Sequence, residues 1–135
     1  HWSMNELPEH AHCGIVADCF DFLESASTDK QTWDIVVCDP PSFAPNEKSR
    51  DKAIAAYGRL AQLSAKVTRP AGLLALASCS SHVDAQAFCE INAEAFGRAR
   101  RCATLLADCS LPVDPPTPLA MPELRYLKFQ LFRLD

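Results

Sequence analysis

The chain's 135 residues are 48% apolar and 22% charged, with 13 Lys and Arg against 17 Asp and Glu for a net charge of -4. That length holds one globular domain with a real core; no apolar run approaches the roughly 18 residues of a membrane-spanning helix, and an acidic balance argues against gripping a polyanion unaided, because such affinity is built largely from phosphate neutralisation. The seven cysteines (13, 19, 38, 79, 89, 102 and 109) are odd in number and form no Cys-x-x-Cys, which leaves a zinc site or a disulfide framework unsupported and suits a reducing cytoplasm.

Residues 3–9 read as a helix remnant or lead-in, and His1-Trp2-Ser3-Met4 has neither the basic region nor the apolar stretch of an export signal. His12-Cys13-Gly14-Ile15-Val16-Ala17 is expected to be a short strand ending at Asp18, followed by a short helix from Phe20 to about Ala26. A strand over 33–38 runs into Pro40-Pro41, which must stop it because proline supplies no ladder N–H. From 46 or 47 to 68, Ile54, Tyr57, Leu60, Ala61, Ser64 and Val67 repeat at a helical period, and Pro70-Ala71-Gly72 is expected to end that helix.

A strand over 72–78 then leads to Ser78-Cys79-Ser80-Ser81-His82. Ser81-His82-Val83-Asp84 has capping-box spacing, so a helix over 82–99 is expected to bury Val83, Ala87, Phe88, Ile91 and Ala95. The basic run Arg98-Ala99-Arg100-Arg101 reads as a solvated helix end favourable to the dipole. Ala103 to Ala107 reads as a strand, 108–123 carries five prolines and reads as a loop, and Arg125 to Leu134 alternates as a final strand. Two strands without an intervening helix pair antiparallel, so an α/β domain with a mostly parallel sheet should end in a hairpin.

Chemistry is expected where strands end, because open α/β sheets bind ligands outside their carboxyl ends. There the sequence puts Asp39-Pro40-Pro41-Ser42-Phe43 after one strand and Cys79 after the next, so a carboxylate and a thiol could face one pocket. A nucleotide-type cofactor normally needs a glycine-rich turn after the first strand. The four glycines (14, 58, 72 and 97) are scattered. Either no such cofactor binds, or the first strands are not in this chain; the second fits better, since the chain opens in what reads as a helix end, although Met4 could be a true start.

With Asp18-Cys19-Phe20, Asp39-Pro40-Pro41-Ser42-Phe43 and Ser78-Cys79-Ser80 in this order, the chain resembles the class I S-adenosylmethionine-dependent methyltransferases. It is most similar to the methyltransferase I family, which makes 5-methylcytosine in large-subunit ribosomal RNA. Met121-Pro122-Glu123-Leu124-Arg125-Tyr126-Leu127-Lys128 is similar to that family's ending. The resemblance implies a partial Rossmann-like methyltransferase sheet, strands 3 to 7 of a seven-stranded 3-2-1-4-5-7-6 order, with flanking helices and a C-terminal antiparallel hairpin. It also implies a single truncated catalytic domain over 1–135, lacking strands 1 and 2, the glycine loop and a separate RNA-binding domain.

By the same resemblance the cofactor is S-adenosyl-L-methionine and the partner is RNA, ribosomal in the family. Asp18 would meet the adenine amino group with Cys19 and Phe20 beside the ring, and Asp39 and Pro40 would border the methionine part. Pro41, Phe43, Ser78, Ser80 and His82 would line the substrate side. Cys79 would add to C6 of cytosine as nucleophile, with Asp39 binding or protonating the pyrimidine at N3. A helix starting just after Cys79 would favour its thiolate.

Each residue also has a plain alternative. Asp18 could be a helix N-cap, Cys79 a buried structural cysteine, His82 an exposed surface group rather than a proton shuttle, and Tyr126 and Lys128 outward-facing strand residues, although the resemblance implies that these two pack near the site. Where the family tends to carry Asp-His-Pro, this chain has Asp114-Pro115-Pro116-Thr117-Pro118, so that histidine's contribution is lost. Two other functions compete: methylation of an exocyclic amine, in which an aromatic directly follows the Asp/Asn-Pro-Pro, and a non-catalytic half-domain. With strands 1 and 2 missing, an open edge of strand 4 should drive self-association, and cofactor binding should be weak or absent.

Overall fold

The computed structural model describes residues 3–5, 8–44, 46–110 and 126–135. Its elements are α1 (Cys19–Thr28), β1 (Trp33–Cys38), α2 (Arg50–Val67), β2 (Thr68–Ser78), α3 (Ala85–Ala99), β3 (Ala103–Cys109) and β4 (Lys128–Leu134), with 3₁₀ turns at Ser3–Asn5, Glu9–Ala11 and Glu47–Ser49. The sheet order is β1-β2-β4-β3. β1 and β2 are parallel, joined over α2, while β4 runs antiparallel to both β2 and β3. This is the α/β architecture expected, with its terminal antiparallel pair, but the sheet is mixed and not mostly parallel, because β4 inserts between β2 and β3.

One face of the sheet carries the core. Val36 and Cys38 of β1 stand opposite Leu74 and Leu76 of β2, which in turn stand opposite Phe132 and Gln130 of β4. Along this face α2 and α3 bring Tyr57, Ala61, Ala65, Phe88, Ile91 and Phe96 into contact with Leu74, Leu76, Phe132 and Leu134. A second cluster of Leu23, Ala26, Leu60, Leu63 and Val67 fixes α1 to α2. On the opposite face of β1, Ile35 and Val37 remain 62% and 66% exposed.

Three boundaries differ from expectation. Residues 12–17 form no strand and leave Ile15 and Val16 exposed, because among the described residues no other strand lies beside them to complete a ladder. β2 begins at Thr68, not at 72: Trp33 pairs with Thr68 and Ile35 with Leu73, so Arg69-Pro70-Ala71-Gly72 forms an irregularity inside the strand. A bulge is where a strand tolerates proline. Ala71 adopts φ 61° there, and a Cβ on Gly72 would come within 2.9 Å of the carbonyl oxygens of both Arg69 and Asp34.

The third difference is at α3, which starts at Ala85 rather than 82. Asp84, not Ser81, is its N-cap, accepting the Ala87 amide at 2.8 Å. Cys79 therefore lies six positions before the first helical residue, beyond the single turn over which a helix end acts strongly. The expected help of that helix to a Cys79 thiolate is withdrawn. The proline-rich segment 111–125 lies outside the described residues, and with it the departure at 114–118.

Candidate active site

Four chain segments meet at the carboxyl ends of β1 and β2. β1 delivers Asp39, whose side chain is exposed, and Pro40-Pro41 turns the chain away from the sheet. β2 delivers Cys79, half-buried, whose Sγ–H donates toward the Pro40 carbonyl at 3.9 Å. The thiol and the Asp39-Pro40-Pro41 turn are thus neighbours at one corner, but of Asp39 and Cys79 only Asp39 lines the large cavity beside it.

Ser80 holds this corner together. Its Oγ accepts from the Ala44 amide at 3.2 Å and shares hydrogen bonds with Ser42 Oγ at 2.8 Å and Tyr57 Oη at 3.0 Å. A hydroxyl has one proton to give and two lone pairs to receive, so three partners saturate it. The bonds fix the 40–44 turn to the end of β2 and place Phe43 between Phe20 and Tyr57, with ring centroids 6.3 and 4.8 Å away.

Beside this corner lies a cavity of about 790 Å3, within the size range of small-molecule sites. Asp18, Cys19 and Phe20 at the start of α1 form one part of its wall, and Asp39, Pro40, Pro41 and Phe43 another. Asp18 is the α1 N-cap: its Oδ1 accepts from the Phe20 amide at 2.8 Å and the Asp21 amide at 3.3 Å. Capping and ligand binding are compatible, because an ionised carboxylate has acceptor sites left on its second oxygen.

The proposed substrate-side residues are distributed differently. Ser78 and Ser80 are fully buried, Ser78 accepting from the Ser80 amide at 3.3 Å, so both hydroxyls serve the turn. His82 lies in the turn before α3, half-buried, with Nδ1 3.0 Å from Glu47 Oε2 and its carbonyl accepting from Arg50 Nε at 3.1 Å. None of these three lines the large cavity, and neither does Cys79.

One contributor escaped the sequence reading, and another was put near the site by the resemblance alone. Tyr57 was assigned only to the core, yet its hydroxyl reaches Ser80. Lys128, at the start of β4, is only 6% exposed and donates to the carbonyls of Ser80 and, at 2.7 Å, Tyr126. Its parity was a usable signal, since Lys128, Gln130, Phe132 and Leu134 alternate inward. Burial pulls its ammonium below the ordinary lysine value, while Cys79 and then Asp84 draw it back up. At Cys38, burial pushes the thiol up, against the lowering effect of its hydrogen bond to Ser64 Oγ at 3.0 Å, which keeps it protonated and structural.

Among the described residues there is no cluster of His, Cys, Asp and Glu able to hold a metal, and no helix is long and apolar enough to cross a membrane. No family model matches the chain. It is 36% identical over 135 residues to a ribosomal RNA large subunit methyltransferase of Deinococcus radiodurans, covering 99% of this chain and 32% of that protein. To ribosomal RNA large subunit methyltransferase I of Shewanella amazonensis it is 34% identical over 112 residues, covering 83% of this chain and 28% of the relative.

The chain thus spans about a third of the length of the curated relatives it matches. Among solved structures, a provisionally assigned methyltransferase complexed with SAH superposes with a TM-score of 0.83 at 25% identity, over 98% of this chain and 34% of that one. A provisionally assigned SAM-dependent methyltransferase from Streptococcus mutans gives a TM-score of 0.80 at 22% identity, with the same coverage.

Proposed function

We propose that this chain, which belongs to the ribosomal RNA large subunit methyltransferases, is a partial catalytic domain of an enzyme that methylates C5 of cytosine in RNA through a Cys79 adduct. The observation that carries this reading is the thiol at the end of β2, half-buried and 3.9 Å from the Pro40 carbonyl in the Asp39-Pro40-Pro41 turn. Thiol and carboxylate are the two groups that the chemistry needs at one strand-end corner.

The cavity wall suits the adenosyl part of S-adenosylmethionine. The free oxygen of Asp18 can accept from an exocyclic amine, the Cys19 main chain lies beside it, and Phe20 offers an apolar ring held by Arg59 at 5.0 Å. No glycine-rich turn exists in this chain to cradle the rest. When bound, S-adenosylmethionine supplies an electrophilic methyl group.

C5 of cytosine is too weak a nucleophile to take that methyl directly. Cys79 thiolate forms a bond to C6, and the displaced π electrons make C5 enamine-like while charge grows at N3, where the Asp39 carboxyl can hydrogen-bond or deliver a proton. After methylation, loss of the C5 proton restores the double bond to C6 and expels Cys79 as thiolate.

RNA carrying 5-fluorocytosine tests this, because fluorine at C5 cannot leave as a proton. The full-length protein containing this chain should form a denaturant-stable adduct with such RNA, and Cys79→Ala should abolish both the adduct and methylation. Undiminished methylation by the alanine variant would instead support amine methylation. That alternative is disfavoured by Ser42, which stands between the Asp39-Pro40-Pro41 turn and Phe43 where an amine methyltransferase places its aromatic directly, and which is tied into the Ser80 network.

A second reading rests on the open side of β1. Ile35 and Val37 are exposed beside an edge with no partner among the described residues, and an apolar unpaired edge recruits another strand. In isolation the chain is then a self-associating half-domain.

A further inference from the structure

Burying an ammonium is costly unless charge and hydrogen bonds compensate it. Lys128 is 6% exposed, and its two observed acceptors, the Ser80 and Tyr126 carbonyls, are neutral. Among the described residues no carboxylate forms an ion pair with it. Lys128 stands opposite Ser78 in the β2–β4 register, which brings its Nζ to the main chain of the residue directly after Cys79. An ammonium has three N–H donors, and the two carbonyls engage two of them.

We infer that Lys128 is the positioning residue of the Cys79 thiolate, tying β4 to the turn that presents the sulfur and supplying the positive charge against which the thiol ionises. The inference rests on the nucleophile role assigned to Cys79 above. It fills the place left by α3, whose start is too far along the chain to act on Cys79. Burial lowers the Lys128 ammonium, and the charge of Cys79 and then of Asp84 raises it again.

Other charged groups surround the corner. Asp84 at the α3 N-cap, Asp39 at the end of β1, Arg50 at the start of α2 and the His82–Glu47 pair carry these charges. Only Lys128 among them is a buried cation bonded to the turn itself.

The test is alkylation of the 135-residue chain by iodoacetamide across pH, with each cysteine followed by peptide mass spectrometry. Lys128→Gln keeps a donor for the carbonyls but removes the charge. It should raise the pH midpoint of Cys79 alkylation by about one unit, roughly tenfold in rate at neutral pH, while exposed Cys102 keeps its profile. Lys128→Arg should restore most of the shift. A Cys79 midpoint unchanged or lowered in a folded Lys128→Gln protein overturns the inference.

If Lys128→Gln unfolds and every cysteine reacts alike, the parent chain decides. A Cys79 midpoint below that of Cys102 supports the pairing, and one at or above it overturns it. Alkylation needs neither cofactor nor RNA, so the pairing and the methylation reading can fail separately.

Discussion

Ser80 has no hydrogen-bonding capacity left over, and that makes it the most demanding residue of the corner. Ser80→Ala would strand the Ala44 amide and the Tyr57 hydroxyl, both buried, at about 1–3 kcal/mol for a buried group left unsatisfied. Denaturant unfolding should show a loss of that size, whereas Ser42→Ala, on the exposed side, should lose much less. Asp39 and Cys79 were legible in the sequence because a proline pair and a polar run end two apolar strands. The Ser80 network was not, since hydroxyls at 42, 57 and 80 carry no shared pattern until the turn brings them together. Lys128 was half-legible: the resemblance put it near the site, but a lysine on a terminal strand is more commonly exposed.

At the level of elements, periodicity located α1, β1, α2, β3 and β4 to within a few residues. What misled was punctuation. Pro70-Ala71-Gly72 resembles a turn but is absorbed as a bulge, and the Ser81–Asp84 spacing resembles a cap whose real occupant is Asp84. The strand expected at 12–17 has suitable residues but no neighbouring strand among the described residues. The basic run at 98–101 is solvated only in part: Arg98 pairs with Glu94, while Arg101 donates to the carbonyls of Ala65 and Thr68 at 2.8 and 2.7 Å and to Asp135 O at 2.9 Å. One guanidinium thus closes the end of α2, the start of β2 and the end of β4. Arg101→Ala should destabilise by about 1–3 kcal/mol, as expected for charged hydrogen bonds to carbonyls, and Arg101→Lys should recover only part because it lacks the fork. Thermal unfolding monitored by circular dichroism reads both.

For the molecule as a whole, the decisive fact is a sheet covered on one face. α2 and α3 pack over Leu74 and Phe132 and α1 lies beside Val36, leaving Ile35 and Val37 exposed on the other side at an edge that has no partner strand among the described residues. The isolated chain should therefore self-associate, and a charge on that surface should undo it. Sedimentation velocity is expected to show dimers or larger species that revert to monomer in Ile35→Lys, with helix content unchanged. A monomeric parent chain at micromolar concentration would contradict this. The net charge of -4 belongs to the same scale. An acidic balance of this kind disfavours binding of a polyanion by this chain alone.

The bonds around Ser80 join residues 23, 38 and 48 positions apart. Closing loops of that span carries an entropy cost before any of the three bonds can form. During folding, the corner is thus assembled late, after the aromatic side chain of α2 and the first residue of β4 have both docked. The setting of residue 79 is in this way tied to completion of the surrounding architecture, and a half-assembled chain lacks it.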